Sequence, residues 1–72
     1  MNKPVYGTVG TGRRYCIVYS RPSIMSDAVI RLRPGDLIEI DEDNSTSCYY
    51  KVKTETNDEG YILVCDVDRK EG

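Results

Sequence analysis

The chain has 72 residues, enough for one small domain, and a chain of this length buries only about 60% of the surface that it exposes when unfolded. Trp and Phe are absent, so aliphatic residues and six tyrosines must supply both the core and any apolar binding surface. The net charge of −2 argues against nucleic acid as a partner, since domains that bind nucleic acid usually have a pI above about 9.

The acidic and basic residues are unevenly distributed along the chain. Up to Arg33 there are six basic residues and one acidic residue, and from Pro34 onward there are four basic and eleven acidic residues. A fold that keeps these halves apart would present a basic face and an acidic face, which favours oriented docking on a charged partner. The alternative is that the two faces are only solvated or pair with each other across the sheet.

The first predicted elements are strands. The Gly-rich segment of residues 6–12 predicts a short edge strand that ends in a turn. Residues 14–19 are rich in β-branched and aromatic side chains and predict a second strand, with Cys16 and Val18 on one face. Pro22 interrupts this strand and predicts a loop, because it has no N–H to donate to a ladder.

The middle of the chain predicts a strand, a turn and a further strand. Residues 28–32 form the first of these strands, and the Pro-Gly pair within residues 33–36 favours a tight turn, since Pro presets φ and Gly takes a positive φ. Residues 37–40 alternate so that Ile38 and Ile40 share the inward face.

The last third of the chain predicts a polar loop and two more strands. Residues 41–47 are polar and acidic and predict a loop, and residues 48–54 predict a strand with Cys48, Tyr50 and Val52 on its inward face. A turn at residues 56–60 leads into a strand at residues 61–64.

These elements predict one all-β domain over residues 1–72. About five short antiparallel strands separated by turn signals, without a helical period, indicate a small barrel. The predicted core runs from residue 15 to residue 67, and the ends at residues 1–4 and 68–72 are expected to be frayed.

Four segments, in this order, resemble the bacterial SH3-like (SH3b) domain family. Residues 16–23 match the family motif L-N-V-R-S-G-P-S, and residues 28–35 match V-I-G-T-L-K-K-G. Residues 49–52 match W-Y-K-V, and residues 60–62 match G-W/Y-V. The resemblance implies an SH3-like barrel with a short 3-10 turn near the C-terminus. Such domains commonly bind cell-wall peptidoglycan or dock on other proteins.

Four residues depart from the family pattern. Cys16, Tyr19 and Arg21 replace the usual Leu, Arg and Gly, and Tyr49 replaces the first aromatic of W-Y. These changes argue against wall binding. The chain also lacks the A-L-Y-D-Y motif of eukaryotic signalling SH3 domains, so recognition of Pro-rich ligands is not implied.

Three cysteines, Cys16, Cys48 and Cys65, are widely spaced without a CxxC pair, and the chain has no His. A disulfide framework normally has an even number of cysteines, and a structural zinc site needs four ligands. The sequence therefore predicts reduced cysteines that pack as small apolar side chains, with one disulfide and one thiol as the alternative. Reduced thiols and an N-terminus without an apolar signal segment favour a cytoplasmic location.

Catalysis, a cofactor and a metal site are not expected. No cysteine has an evident base partner, so the chain is not predicted to be an enzyme. Asp41, Asp43 and Ser45 alternate like the start of a calcium loop, but Thr46 and Val52 stand where an EF-hand needs Gly and Glu.

Tyrosines and loop residues are the candidates for partner binding. Tyrosine is favoured at interfaces because it combines an aromatic body with a polar tip. Alternation places Tyr19, Tyr49 and Lys51 on the outward faces of their strands, and Tyr61 is expected near the first two. The alternative is that exposed tyrosines only pack across the strands. The candidate binding residues are Tyr19, Arg21, Met25, Asp43, Tyr49 and Tyr61.

The predicted function is a non-enzymatic SH3-like module that docks on a protein partner in the cytoplasm, as a small adaptor or inhibitor, for instance of phage or mobile-element origin. The alternative is a peptidoglycan-binding targeting domain excised from a larger secreted or lytic protein of the cell wall. A nucleic-acid role through Arg13, Arg14, Arg31 and Arg33 is disfavoured by the acidic net charge, and no membrane partner is expected because no apolar run approaches the ~20 residues of a span.

Overall fold

A computed structural model of the chain describes residues 5–10 and 15–70, which form strands and two short 3-10 turns. The turns, at Glu42–Asn44 and Val64–Asp66, confirm the predicted 3-10 turn near the C-terminus and add one that was not predicted. No helix within the described ranges has the length and apolar character needed to cross a membrane. The strands are β1 (Val5–Val9), β2 (Cys16–Tyr19), β3 (Ala28–Leu32), β4 (Leu37–Asp41), β5 (Tyr49–Thr54), β6 (Glu59–Leu63) and β7 (Val67–Lys70).

All seven strands belong to one antiparallel sheet in the order β3-β2-β6-β5-β4-β1-β7. The predicted all-β class is therefore confirmed, but the sheet has seven strands where about five were expected. No pairing among the described strands joins β3 to β7, so the sheet is not closed into the predicted barrel. Closure requires that no strand edge stays open, whereas Ala28 and Val29 on the outermost strand β3 are exposed.

The two ends of the sheet differ from the prediction because of a long-range pairing. Strand β1 is not an edge: it lies between β4 and β7, with Gly7 opposite both Ile38 and Arg69. Residues 68–70, expected to be frayed, belong to β7, while residues 1–4 and 71–72, and the end of the predicted first segment at residues 11–12, lie outside the described residues. A Cβ at Gly7 would lie 3.0 Å from the Asp68 carbonyl oxygen, so the missing side chain lets β7 approach β1.

One hydrophobic cluster fills the inner face of the sheet. The inward phases predicted for Cys16 and Val18 in β2 and for Ile38 and Ile40 in β4 are confirmed, and the half-buried Tyr50 packs against the same cluster. The buried members are Val9, Cys16, Val18, Leu32, Ile38, Ile40, Val52 and Ile62.

The three cysteines, all among the described residues, are not joined by a disulfide. Cys16 is buried as predicted, but Cys48 and Cys65 are exposed, so their assignment as buried small side chains is wrong. The reason is local. Strand β5 begins at Tyr49, so Cys48 lies in the preceding loop, where the strand alternation used to predict its face does not apply. Cys65 lies in the second 3-10 turn.

The turn chemistry follows the sequence closely. Gly35 has φ 89°, as predicted for the Pro-Gly turn, and the Arg33 N–H donates to the Asp36 carboxylate at 2.7 Å. In the β5–β6 turn Asn57 has φ 66°, and its N–H donates to the Thr54 carbonyl at 3.0 Å. Asn tolerates this left-handed conformation better than other residues with a side chain.

Asn57→Ala should lower the free energy of unfolding by about 1 kcal/mol, because Ala lacks the local polar contacts that help Asn adopt a positive φ. Asn57→Gly should leave stability unchanged or slightly raise it, since Gly adopts this conformation freely. Urea unfolding followed by circular dichroism measures both. Equal stabilities of the two variants would show that the positive φ of residue 57 does not decide which side chain is favoured there.

Candidate docking surface

The outer face of the sheet brings the three predicted tyrosines onto neighbouring strands. Tyr19 of β2 lies opposite Tyr61 of β6, and Tyr49 of β5 lies opposite Leu63 of β6. Because side chains alternate along a strand, these residues face away from the buried cluster. All are half-buried. With Lys51, which lies opposite Tyr61, they form a surface that we call the tyrosine face: Tyr19, Tyr49, Lys51, Tyr61 and Leu63.

Gly60 determines how closely β2 can approach β6. The only residue pair in register between these strands is Tyr19 with Tyr61, one position after this glycine. A Cβ on Gly60 would lie 2.4 Å from the Tyr19 carbonyl oxygen and 2.6 Å from the Val18 Cγ1, closer than real Cβ contacts. The absence of a side chain at Gly60 is therefore what allows Tyr19 and Tyr61 to meet.

Lys51 belongs to this surface although the sequence assigned it no role. Its Nζ lies 5.1 Å from the centroid of the Tyr61 ring, within the range of a cation–π contact. The outward phase that Lys51 shares with Tyr49 is the signal in the sequence that points to it. Lys51 also lies opposite Asp41 of β4. Moving across the sheet from Tyr61, a basic residue is therefore followed by an acidic one.

Arg21 and Met25 lie in the loop of residues 20–27, which begins directly after Tyr19. They share a shallow depression of about 280 Å³, lined by Ser20, Arg21, Ser23, Met25, Ser26 and Asp27. Both side chains are exposed, and Met25 is the more prominent at 90% exposure. The structure therefore brings these two predicted residues together, beside the end of β2 that carries Tyr19.

Asp43 is not part of the tyrosine face, but the turn that carries it packs against β5. It is exposed in the 3-10 turn that follows β4, beyond the position where Asp41 pairs with Lys51. The Asp41 carboxylate accepts a hydrogen bond from the Asn44 side chain at 2.7 Å, and the Ser45 hydroxyl donates to the Asp41 carbonyl at 2.7 Å. The side chains of Asp41 and Ser45, two of the three alternating residues, therefore form hydrogen bonds within the turn. No cluster of three metal-binding side chains occurs in the described residues.

Two of the four basic residues named for a nucleic-acid role, Arg31 and Arg33, lie among the described residues, and both are exposed. Arg31 in β3 has its guanidinium carbon 5.2 Å from the centroid of the Tyr15 ring, and Arg33 begins the following turn. Arg13 and Arg14 lie outside the described residues. Arg31 and Tyr15 repeat, near β3, the cation–π arrangement of the tyrosine face.

No protein-family model matches the chain, and no curated protein matches it either. The tyrosine face and the adjoining loop are therefore the features that indicate a function.

Proposed function

We propose that this chain is a non-enzymatic, SH3-like binding module that docks on a protein partner in the cytoplasm, as a small adaptor or inhibitor. The observation that carries the proposal is the tyrosine face, where three tyrosines and Leu63 lie side by side on β2, β6 and β5. Tyrosine is enriched among the residues that dominate binding energy, because its ring buries a large apolar area while its hydroxyl keeps a polar contact.

The shape of the surface supports a macromolecular partner. The tyrosine face lies on the outside of a sheet, and two shallow depressions among the described residues have volumes of about 240 and 280 Å³. Clefts for small molecules typically measure about 300–1,000 Å³ and enclose most of the ligand. A partner that covers a broad, open surface fits this geometry better than a small ligand.

The charges beside the tyrosine face support docking in one orientation. Arg21 follows Tyr19 in the loop, while Asp41 lies at the opposite end of the same cross-strand row, after Tyr61 and Lys51. Exposed Asp43 follows in the next turn, whereas the carboxylate of Glu42 beside it is paired with the Arg69 guanidinium. A partner with the opposite order of charges would be steered into one register, which is the usual contribution of charges at the edge of an interface.

The test is a capture experiment with the tagged chain, run beside purified cell walls. We expect one stoichiometric protein partner, and we expect the Tyr19→Ala, Tyr61→Ala double variant to bind it at least about 30-fold more weakly, the loss of a hot spot of about 2 kcal/mol. Tyr6→Ala is the matched control, because Tyr6 is 42% exposed on β1 and lies outside the tyrosine face.

Titration calorimetry with the captured protein gives the affinities, and circular dichroism confirms that each variant is folded. Equal weakening by Tyr6→Ala and by the double variant would contradict a localised docking surface. Retention on cell walls without a protein partner would instead support the peptidoglycan-binding alternative.

A further inference from the structure

The loop of residues 20–27 is closed at its base by backbone hydrogen bonds. The Ser20 N–H donates to the Asp27 carbonyl at 2.8 Å, directly beyond the last residue pair of β2 and β3. Inside the loop, the Ser23 N–H donates to the Arg21 carbonyl at 2.7 Å and the Ser26 N–H donates to the Ser23 carbonyl at 3.1 Å. Hydrogen bonds within its own main chain therefore hold this loop in one conformation.

Two serine side chains brace the loop further. The Ser26 hydroxyl donates to the Ser23 carbonyl at 2.6 Å and accepts from the Arg21 N–H at 3.2 Å. The Ser23 hydroxyl accepts from the Met25 N–H at 3.1 Å. Side chain to backbone bonds of this kind stabilise a turn that has no strand or helix to support it.

This braced loop holds its two most apolar side chains in solvent. Ile24 is 62% exposed and Met25 is 90% exposed, the highest values among the exposed large apolar residues of the described ranges. A loop that bends freely could turn such side chains toward the rest of the domain, but the bonds of Ser23 and Ser26 keep the tip in place. Ordering the loop in advance reduces the entropy lost when these side chains bind.

We propose that Ile24 and Met25 form an apolar plug that inserts into a pocket on the surface of the partner protein. Residue 24 was not among the candidates predicted from the sequence. The inference rests on the proposed function and adds the direction of insertion and the chemistry of the partner's site. Methionine suits this role because its flexible, polarizable side chain adapts to irregular apolar pockets.

Arg21 specifies what surrounds the partner's pocket. It lines the same depression as Met25, and its side chain is exposed, so its charge is available beside the plug. The complementary site has an apolar floor for Ile24 and Met25 and a carboxylate at its rim for Arg21, which can pair with both oxygens. Asp27, at the base of the loop, would lie against a polar part of that rim.

A protein pocket fits the plug better than a lipid surface. Two apolar side chains supply little area for insertion, and a net charge of −2 is repelled by anionic headgroups. The vesicle arm of the test uses liposomes of phosphatidylcholine and phosphatidylglycerol. No binding to them is expected, and binding that Met25→Glu abolishes would overturn the assignment to a protein pocket.

The main test measures the affinity of the captured partner for substituted chains. Met25→Glu should weaken binding at least about tenfold, because a charge would enter an apolar pocket, whereas Met25→Leu should stay within about threefold. Arg21→Glu should also weaken binding, through repulsion by the rim carboxylate. Leu37→Glu is the matched control, since Leu37 is 41% exposed on β4 and lies away from the loop.

A photo-crosslinking residue at position 25 locates the contact directly. Crosslinks should map to apolar residues of one pocket that has an acidic residue beside it. Partner binding that is lost in the Tyr19→Ala, Tyr61→Ala variant but unchanged in Met25→Glu would overturn the plug and leave the proposed function standing. Absence of any protein partner would overturn both, and crosslinks spread over a flat surface would overturn the plug alone.

Discussion

Gly60→Ala is expected to lower the free energy of unfolding by about 3 kcal/mol. This is the upper end of the usual cost when extra atoms are forced into a well-packed core. The added Cβ would lie 2.4 Å from the Tyr19 carbonyl oxygen, which is backbone and cannot rotate away. The β2–β6 junction would have to open, and it has only the Tyr19–Tyr61 pair in register. Urea unfolding followed by tyrosine fluorescence and circular dichroism measures the loss.

Gly35→Ala is the matched control for this prediction. Gly35 has φ 89°, but a Cβ there would meet no atom within 4 Å, so its substitution carries only the conformational cost of about 1–2 kcal/mol. If both alanine variants lose the same stability, close approach of β2 and β6 is not what Gly60 provides.

The Gly60 variant also bears on docking, because the same junction positions two residues of the tyrosine face. We expect the folded fraction of Gly60→Ala to bind the captured partner more weakly than wild type, even at a temperature where it is fully folded. Gly35→Ala should bind normally, since its turn lies between β3 and β4, outside the tyrosine face.

Ile38→Ala should remove about 2–5 kcal/mol of stability, the range measured when a large buried aliphatic side chain is truncated to Ala. Ile38 is 1% exposed and belongs to the buried cluster, so its truncation leaves a cavity that the surrounding strands fill only in part. The free energy of unfolding of a 72-residue domain is typically about 4–11 kcal/mol in total. The variant is therefore expected to be partly unfolded at physiological temperature.

The neighbouring residue supplies the control. Leu37→Ala removes a side chain of equal size from the opposite face of β4, where Leu37 is 41% exposed. Its cost should stay near 0.5 kcal/mol, since surface substitutions away from special features change stability little. Similar losses for the two variants in guanidinium unfolding would contradict the inward and outward assignment of β4.

Local features of this chain were predictable from its residues. The strand at Ala28–Leu32, the turn at Gly35 and the inward phases of Ile38 and Ile40 follow from alternation and turn chemistry, and the structure confirms them. The outward phases of Tyr19 and Tyr49 were predicted in the same way, and Tyr61 was expected to lie near them. These features depend only on residues that are neighbours in the chain, so the sequence is sufficient to predict them.

The start of β5 shows where this reasoning fails. Alternation extended backward from Val52 placed Cys48 on the inward face, but the strand begins one residue later and Cys48 is exposed. Alternation shows which residues share a face only as far as the strand itself extends. The residue at which pairing starts depends on the partner strand.

By itself the sequence determined the all-β class, most of the strands, the tight turns and most of the side chains that face inward, because each depends on short-range sterics and alternation. Only the tertiary structure decided that β7 pairs with β1, that the sheet does not close, that Lys51 covers Tyr61, and that a braced loop holds Ile24 and Met25 in solvent. These depend on the register between segments far apart in the chain, which is set by the packing of the whole sheet.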